Sequence, residues 1–300
     1  MRYTTRNIWS NLSGVARFLF WVGLCVLLLA YAWAPNALEK QRDSLLDQLQ
    51  AQRHSRVIAM IHREDTVSLF GVPVSSYITI EDSEAILRAI RETPDDQPID
   101  LVLHTPGGLL LAAEQIAMAL AQHKGKVTVF VPHYAMSGGT LMALAADEIV
   151  MDPNAVLGPV DPQIGDMPAA SILKAVELKS PAHVDDETLV LADIASKARV
   201  QTAAFVAEIL NKHLSKQKAA RLAMVLADGR WTHDFPITVE AAKELGLPIS
   251  TNMPQTVYDL MDLYPQSGSG RPSVLYVPFH SAPPGKDGAG NTTAAKPGAN

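Results

Sequence analysis

Four short runs in the sequence are apolar almost throughout: RVIAMIH from Arg56, IDLVLHT from Ile99, KVTVFVP from Lys126 and EIVMD from Glu148. A strand with one wet face alternates polar and apolar residues. A strand with no such alternation is buried on both faces. Between these runs lie segments with apolar residues at helical spacing. EDSEAILRAIRET carries Ala85, Ile86, Leu87 and Ile90 behind an acidic start, and GLLLAAEQIAMALAQH follows the second run. Strands and helices in alternation predict a parallel sheet covered by helices on both sides, an α/β fold.

Composition removes several classes of function. The net charge is −6 and no basic run is present, which argues against nucleic acid as a partner. One cysteine, Cys25, allows no intrachain disulfide and no thiolate metal cluster. The histidines are scattered, without an HxH or HxxxH pair, so no metal is expected. No G-x-G-x-x-G follows a strand and no phosphate loop occurs, so no cofactor is expected.

The N-terminus reads differently. FLFWVGLCVLLLAYAW, Phe18 to Trp33, holds no charge. At about 1.5 Å per residue it is slightly short for a hydrocarbon core of about 30 Å. Gly14 to Arg17 lengthen it, and Arg17 can snorkel to headgroups. It is read as a single transmembrane helix. A cleaved signal peptide, with Ala30-Tyr31-Ala32 as the cleavage pattern, and a buried soluble helix are the other readings. Arg2, Arg6 and Arg17 before the run lean towards a cytoplasmic N-terminus and an extracytoplasmic domain beyond it.

Organisation follows. Residues 1–35 form the membrane anchor, ended by Pro35. Residues 36–55 form a helical spacer with Leu38, Leu45, Leu46 and Leu49 on one side. Residues 56–265 form the globular domain. Helices are predicted from Ala170 to about Lys179, Asp186 to Leu214 and Gln217 to Ala227, and behind a Thr238 cap. Residues 266–300 are a Gly/Pro/Ser-rich tail, mostly disordered, in which RPSVLYVPFH adds one strand.

Two glycine motifs hold candidate chemistry. HTPGG, His104 to Gly108, lies between a strand and a helix. Its glycines let the backbone turn sharply and bring N–H groups towards a developing negative charge. The plain alternative is a tight turn. In AMSGG, Ser137 precedes Gly138 and Gly139 at the start of a helix. Serine is a favoured N-cap. A cap does not explain two glycines, each of which weakens a helix by roughly 1 kcal/mol relative to alanine. Something approaches that backbone closely. The form A-x-S-x-G is near the nucleophile elbow of α/β-hydrolases, but no clear acid-then-histidine pair follows it. His183, His213, His233 and His280 lie in no recognisable motif. His104 and His133 flank the glycine motifs and read as structural. Lys174, among Ile172, Leu173, Ala175 and Val176, and Lys179 are the lysine candidates for a base. Otherwise both are solvated surface lysines.

Three stretches in this order, LHTPGG, YAMSGGTLMALAADEIVMDPNAVLGPVDPQIG and GRWTHDFPITVEAAKELGLP, resemble the SDH proteinase (serine dehydrogenase proteinase) family. That family is related to signal peptide peptidase A, the NfeD-type membrane proteases and, more distantly, the Clp protease subunit. The resemblance implies a Clp/crotonase-like fold of repeated ββα units, a homo-oligomer and peptide-bond hydrolysis through an acyl-enzyme. Ser137 matches the nucleophile, and Gly107 or Gly108 together with Gly138 match the oxyanion hole. A lysine base is implied by the NfeD-type relatives. Lys174 fits best and Lys179 is the alternative, giving a Ser-Lys dyad. The Clp subunit uses a histidine where this chain has VDPQI. Asp161 in that stretch is read as a turn or cap, with an orienting role as the lesser option. The expected protein is therefore a membrane-anchored serine endopeptidase acting on protein or peptide. The alternatives are a crotonase-type acyl-CoA enzyme on the same fold and an inactive membrane scaffold.

Overall fold

In the computed structural model the four apolar runs become four neighbouring strands of one parallel sheet. The structure describes residues 5–62, 68–69, 72–73, 77–180 and 183–264, with side chains described for 14–30, 37–62, 77–180 and 183–264. These residues fall within one unit, Met1–Gly268. The expected tail and its RPSVLYVPFH strand lie outside the described residues.

The first helix, α1, spans Thr5–Arg53, and β1 (Arg56–Ile61) follows it. Two short strands, β2 (Ser68–Leu69) and β3 (Val72–Pro73), pair with each other. Then come α2 (Ile80–Arg91), β4 (Ile99–His104), α3 (Leu110–Gln122) and β5 (Val127–Val131). The chain continues through β6 (Tyr134–Ala135), α4 (Gly138–Leu144), β7 (Glu148–Met151) and β8 (Val156–Leu157). A hairpin of β9 (Gln163–Ile164) and β10 (Met167–Pro168) leads into α5 (Ala169–Leu178), α6 (Asp186–Leu210) and α7 (Lys216–Ala227). The last elements are β11 (Ile237–Thr238), α8 (Val239–Glu244), β12 (Ile249–Ser250) and α9 (Gln255–Asp262).

The central sheet has the order β1-β4-β5-β7-β12, and every pair in it is parallel. Side chains leave a strand on alternate faces. On β4, Ile99, Leu101 and Leu103 enter the larger core, formed with α2, α3, α4, α6 and α7, whereas Val102 enters a second core on the other face. On β5, Val127, Val129 and Val131 go to the first core and Phe130 to the second. Both faces are apolar because both are covered, as the uniform runs required.

The second face is covered by α1 and α9. Leu49 is fully buried there with Val257 and Leu260, and Leu45 and Leu46 pack beside it. The segment expected as a spacer is thus the C-terminal half of α1 and part of the packed body. Arg42 Nη2 donates to the Leu263 carbonyl at 2.7 Å, and its guanidinium lies 3.9 Å from the Tyr264 ring centre. Pro35, expected to end the first helix, lies inside α1. Proline removes one N–H and crowds the preceding turn. Beyond it, tertiary packing of the Leu45–Leu49 face holds the helix, and such packing supplies most helical stability in proteins.

The single transmembrane helix is not found: among the described residues no helix is long and apolar enough to cross a membrane. What α1 does present is an exposed apolar stretch, with Phe18, Leu19, Phe20, Trp21, Leu27 and Leu29 each more than three-fifths exposed.

A polar exception sits on the second face. Asp100 shares that face of β4 with Val102 and is 1 % exposed. The Arg53 guanidinium grips both of its oxygens, Ser55 Oγ donates to it at 2.7 Å, and the same guanidinium lies 4.9 Å from the Phe130 ring centre. This pair fixes the end of α1 to the sheet. Arg53→Met strands the buried carboxylate and is expected to cost about 3 kcal/mol, read from the chemical-denaturation midpoint. Arg53→Met combined with Asp100→Leu is expected to recover most of that loss, because no charge is then left buried.

Candidate active site

A second, smaller sheet builds the site. Its order is β11-β8-β6, with β6 parallel to β8 and β11 antiparallel to β8. These strands are two residues long, so no periodicity marks them in the sequence. They are joined to the central sheet where Thr105 bridges Ala135. There Thr105 N–H donates to the Tyr134 carbonyl at 3.2 Å, and Met136 N–H donates to the Thr105 carbonyl at 3.0 Å. The two glycine turns are strapped side by side.

The result is close contact at Ser137. A Cβ on Gly107 would lie 2.8 Å from Ser137 Cβ and 3.3 Å from its Oγ, closer than a side chain there allows. Gly107 has φ +108° and Gly108 φ +155°. Gly108 is bridged to Ile78, whose N–H donates to Gly107 O at 2.8 Å and whose carbonyl accepts from Leu109 N–H at 2.9 Å. In a parallel bridge the residue between those two partners turns its own N–H to the other side. Gly107 N–H is taken by Thr105 Oγ1 at 3.2 Å, and Gly139 N–H by the Met136 carbonyl at 2.7 Å. Among the described residues no backbone acceptor meets the N–H of Gly108 or of Gly138.

Ser137 stands just before α4 with φ 52° and ψ −117°, and its side chain makes no capping hydrogen bond. A non-glycine residue at positive φ costs of order 1–3 kcal/mol, and such strain gathers at functional sites. The capping reading of Ser137 therefore fails. Ser137 lines a cleft of about 500 Å³ together with Tyr77, Pro106, Gly108 and Gly138.

Asp161 and His233 line the same cleft. His233 Nδ1 is 2.8 Å from Asp161 Oδ1, and Gln163 Nε2 donates to Asp161 Oδ2 at 2.7 Å. The Asp161 side chain is 3 % exposed and that of His233 35 %. Sequence reasoning read Asp161 as a turn or cap, with an orienting role as the lesser option, and gave His233 no role. Ile237 on β11 pairs with Leu157 on β8. Asp161 and His233 lie in the non-strand segments just outside that pair, Asp161 after β8 and His233 in the turn before β11.

The lysines are not brought to this cleft. The Lys174 side chain is 60 % exposed, and its Nζ pairs with Glu177 at 2.9 Å. Ala169 and Ile172 form the face of α5 buried against Ala195 of α6, with Leu173 beside them. Lys179 is exposed just past the end of α5. Neither lysine is among the residues lining the cleft. His104 is buried, with its ring 4.2 Å from Tyr134 and 5.7 Å from His133, and is not part of the cleft wall. Among the described residues no cluster of His, Cys, Asp and Glu is arranged to hold a metal.

Residues 6–291 match the model of the ClpP-like SDH-type serine proteinases. The chain belongs to that family. It is 54% identical over 269 residues to the uncharacterized protein MJ0137 of Methanocaldococcus jannaschii, spanning 89% of this chain and 94% of that one. With MJ1495 of the same organism it shares 58% over 238 residues, 79% of this chain and 81% of that one. Among solved structures it resembles the membrane-bound stomatin-specific protease 1510-N at 20% identity and a TM-score of 0.41, covering 61% of this chain and 79% of that one. The fold is thus α/β and ClpP-like, and the family is one of serine peptidases.

Two expectations follow from the geometry. Gly108→Ala places a methyl 2.2 Å from Ile78 N, so it should abolish peptide hydrolysis and lower the thermal midpoint. The second concerns His62, whose Nδ1 lies 2.8 Å from Thr105 Oγ1 beside the same turn. Burial holds its imidazole below its ordinary value, and the Asp82 carboxylate at 3.4 Å offsets only part of this. Below about pH 6.5 the unfolded chain binds more protons than the folded one, so stability falls as pH drops through that window. His62→Gln should flatten the decline, as read from denaturation midpoints between about pH 7 and about pH 5.

Proposed function

We propose that this protein is a serine endopeptidase that cleaves peptide bonds through an acyl-enzyme on Ser137. The observation that carries this reading is the serine held at φ 52°, uncapped, against a glycine with no side chain. The Ser137 hydroxyl attacks the scissile carbonyl, and the oxyanion is received by the N–H groups of Gly108 and Gly138. Gly107, its own N–H engaged by Thr105, provides room rather than a donor. Preorganised donors of this kind are usually the largest single contribution to catalysis of acyl transfer. A crotonase-type acyl-CoA enzyme would use the same donors but has no need of a strained serine between them.

The reading includes a membrane tether and self-association. The exposed Phe18–Leu29 stretch of α1 supports the tether. Exposed Val190, Ile194 and Val200 on α6, with Leu178 just before it, support contact between copies. This reading does not use a Ser-Lys dyad, because Lys174 and Lys179 are not among the residues lining the cleft.

Ser137→Ala should lower peptide turnover by at least about 10³-fold and end labelling by a fluorophosphonate, with an unchanged denaturation midpoint. Persistent labelling of that variant would remove the assignment. For the tether, the full chain should sediment with lipid vesicles at physiological salt, while a chain starting at Asn36 should stay in the supernatant.

A further inference from the structure

We propose that His233, oriented by Asp161, is the general base and acid for Ser137, an inference that rests on the acyl-enzyme reading above. Among the described residues lining the cleft, the titratable ones are Tyr77, Asp161 and His233, and only the imidazole offers a basic nitrogen. Asp161 occupies Nδ1 at 2.8 Å. A carboxylate on one ring nitrogen fixes the tautomer in which the other, Nε2, is the acceptor. Gln163 Nε2 donates to the second oxygen of Asp161 at 2.7 Å and lies 3.2 Å from His233 Nδ1, so it bridges carboxylate and ring and acts as a positioning residue. The carboxylate is closed off from solvent while the ring reaches the cleft. That asymmetry suits a buried acid steadying a working base, and a surface ion pair lacks it.

The step balances without any further reagent. As Ser137 Oγ bonds to the carbonyl carbon, its proton passes to His233 Nε2 and the carbonyl pair moves to oxygen, facing Gly108 and Gly138. The carbonyl re-forms as the C–N bond breaks, and the imidazolium gives its proton to the departing amine. Water then attacks the ester, losing its proton to the same nitrogen. That proton returns to Ser137 Oγ as the acid product leaves. Asp161 stays anionic and stabilises the imidazolium throughout.

The test uses the full chain in detergent and measures the rate of fluorophosphonate acylation of Ser137 beside peptide turnover. His233→Asn should slow both by about 10³-fold or more, and Asp161→Asn by about 10²- to 10⁴-fold. Lys174→Ala and Lys179→Ala should stay within about twofold of the parent. His233→Ala should regain part of its acylation rate when imidazole is added, a response that a merely structural histidine would not give. Should His233→Asn fail to fold, His233→Gln takes its place in the same comparison. Acylation of His233→Asn within about threefold of the parent, or loss in a lysine variant instead, overturns the inference and leaves Ser137 standing. If the parent chain never labels at Ser137, the acyl-enzyme reading has failed first.

Discussion

Everything at the site depends on two backbone turns lying closer together than side chains permit. Thr105 accepts from and donates to the β6 segment, and this brings Gly107 against Ser137. A methyl on Gly107 would strike the serine itself. A Cβ on Gly139 would lie 2.5 Å from Thr105 Cγ2 and push the same seam apart from the other side. The glycines of the two motifs are therefore steric requirements of one contact. The strained φ of Ser137 persists because this packing over-determines it.

The central sheet was legible because burial on both faces leaves an apolar imprint. The four runs beginning at Arg56, Ile99, Lys126 and Glu148 each became a strand. Helices with strong caps were also legible. Thr238 accepts from Ala241 N–H as expected, and the helices expected near Ala170, Asp186 and Gln217 appear as α5, α6 and α7 within a few residues. Pro35 misled, since a local breaking preference yielded to packing further along the same helix. The two-residue strands of the second sheet carry no readable pattern at all.

The convergence of Ser137, Gly108 and Gly138 was legible from residue type and local order, since a turn assembles from neighbours in sequence. The Asp161–His233 pair of the same cleft was not, because the two are far apart in the chain and meet in the segments flanking the short β8–β11 pair. Reasoning by spacing from the serine pointed to α5 and its lysines. That helix instead spends its apolar face on α6 and leaves Lys174 to Glu177.

The pairing of β11 with β8 has a consequence for how such a chain is made. The serine and its two glycine turns leave the ribosome long before His233 does, and the imidazole can reach its aspartate only once the segment leading into β11 has been made. On that assignment a half-synthesised polypeptide holds an inert hydroxyl. On the same assignment hydrolytic power would arrive late in biogenesis, a timing set by chain order.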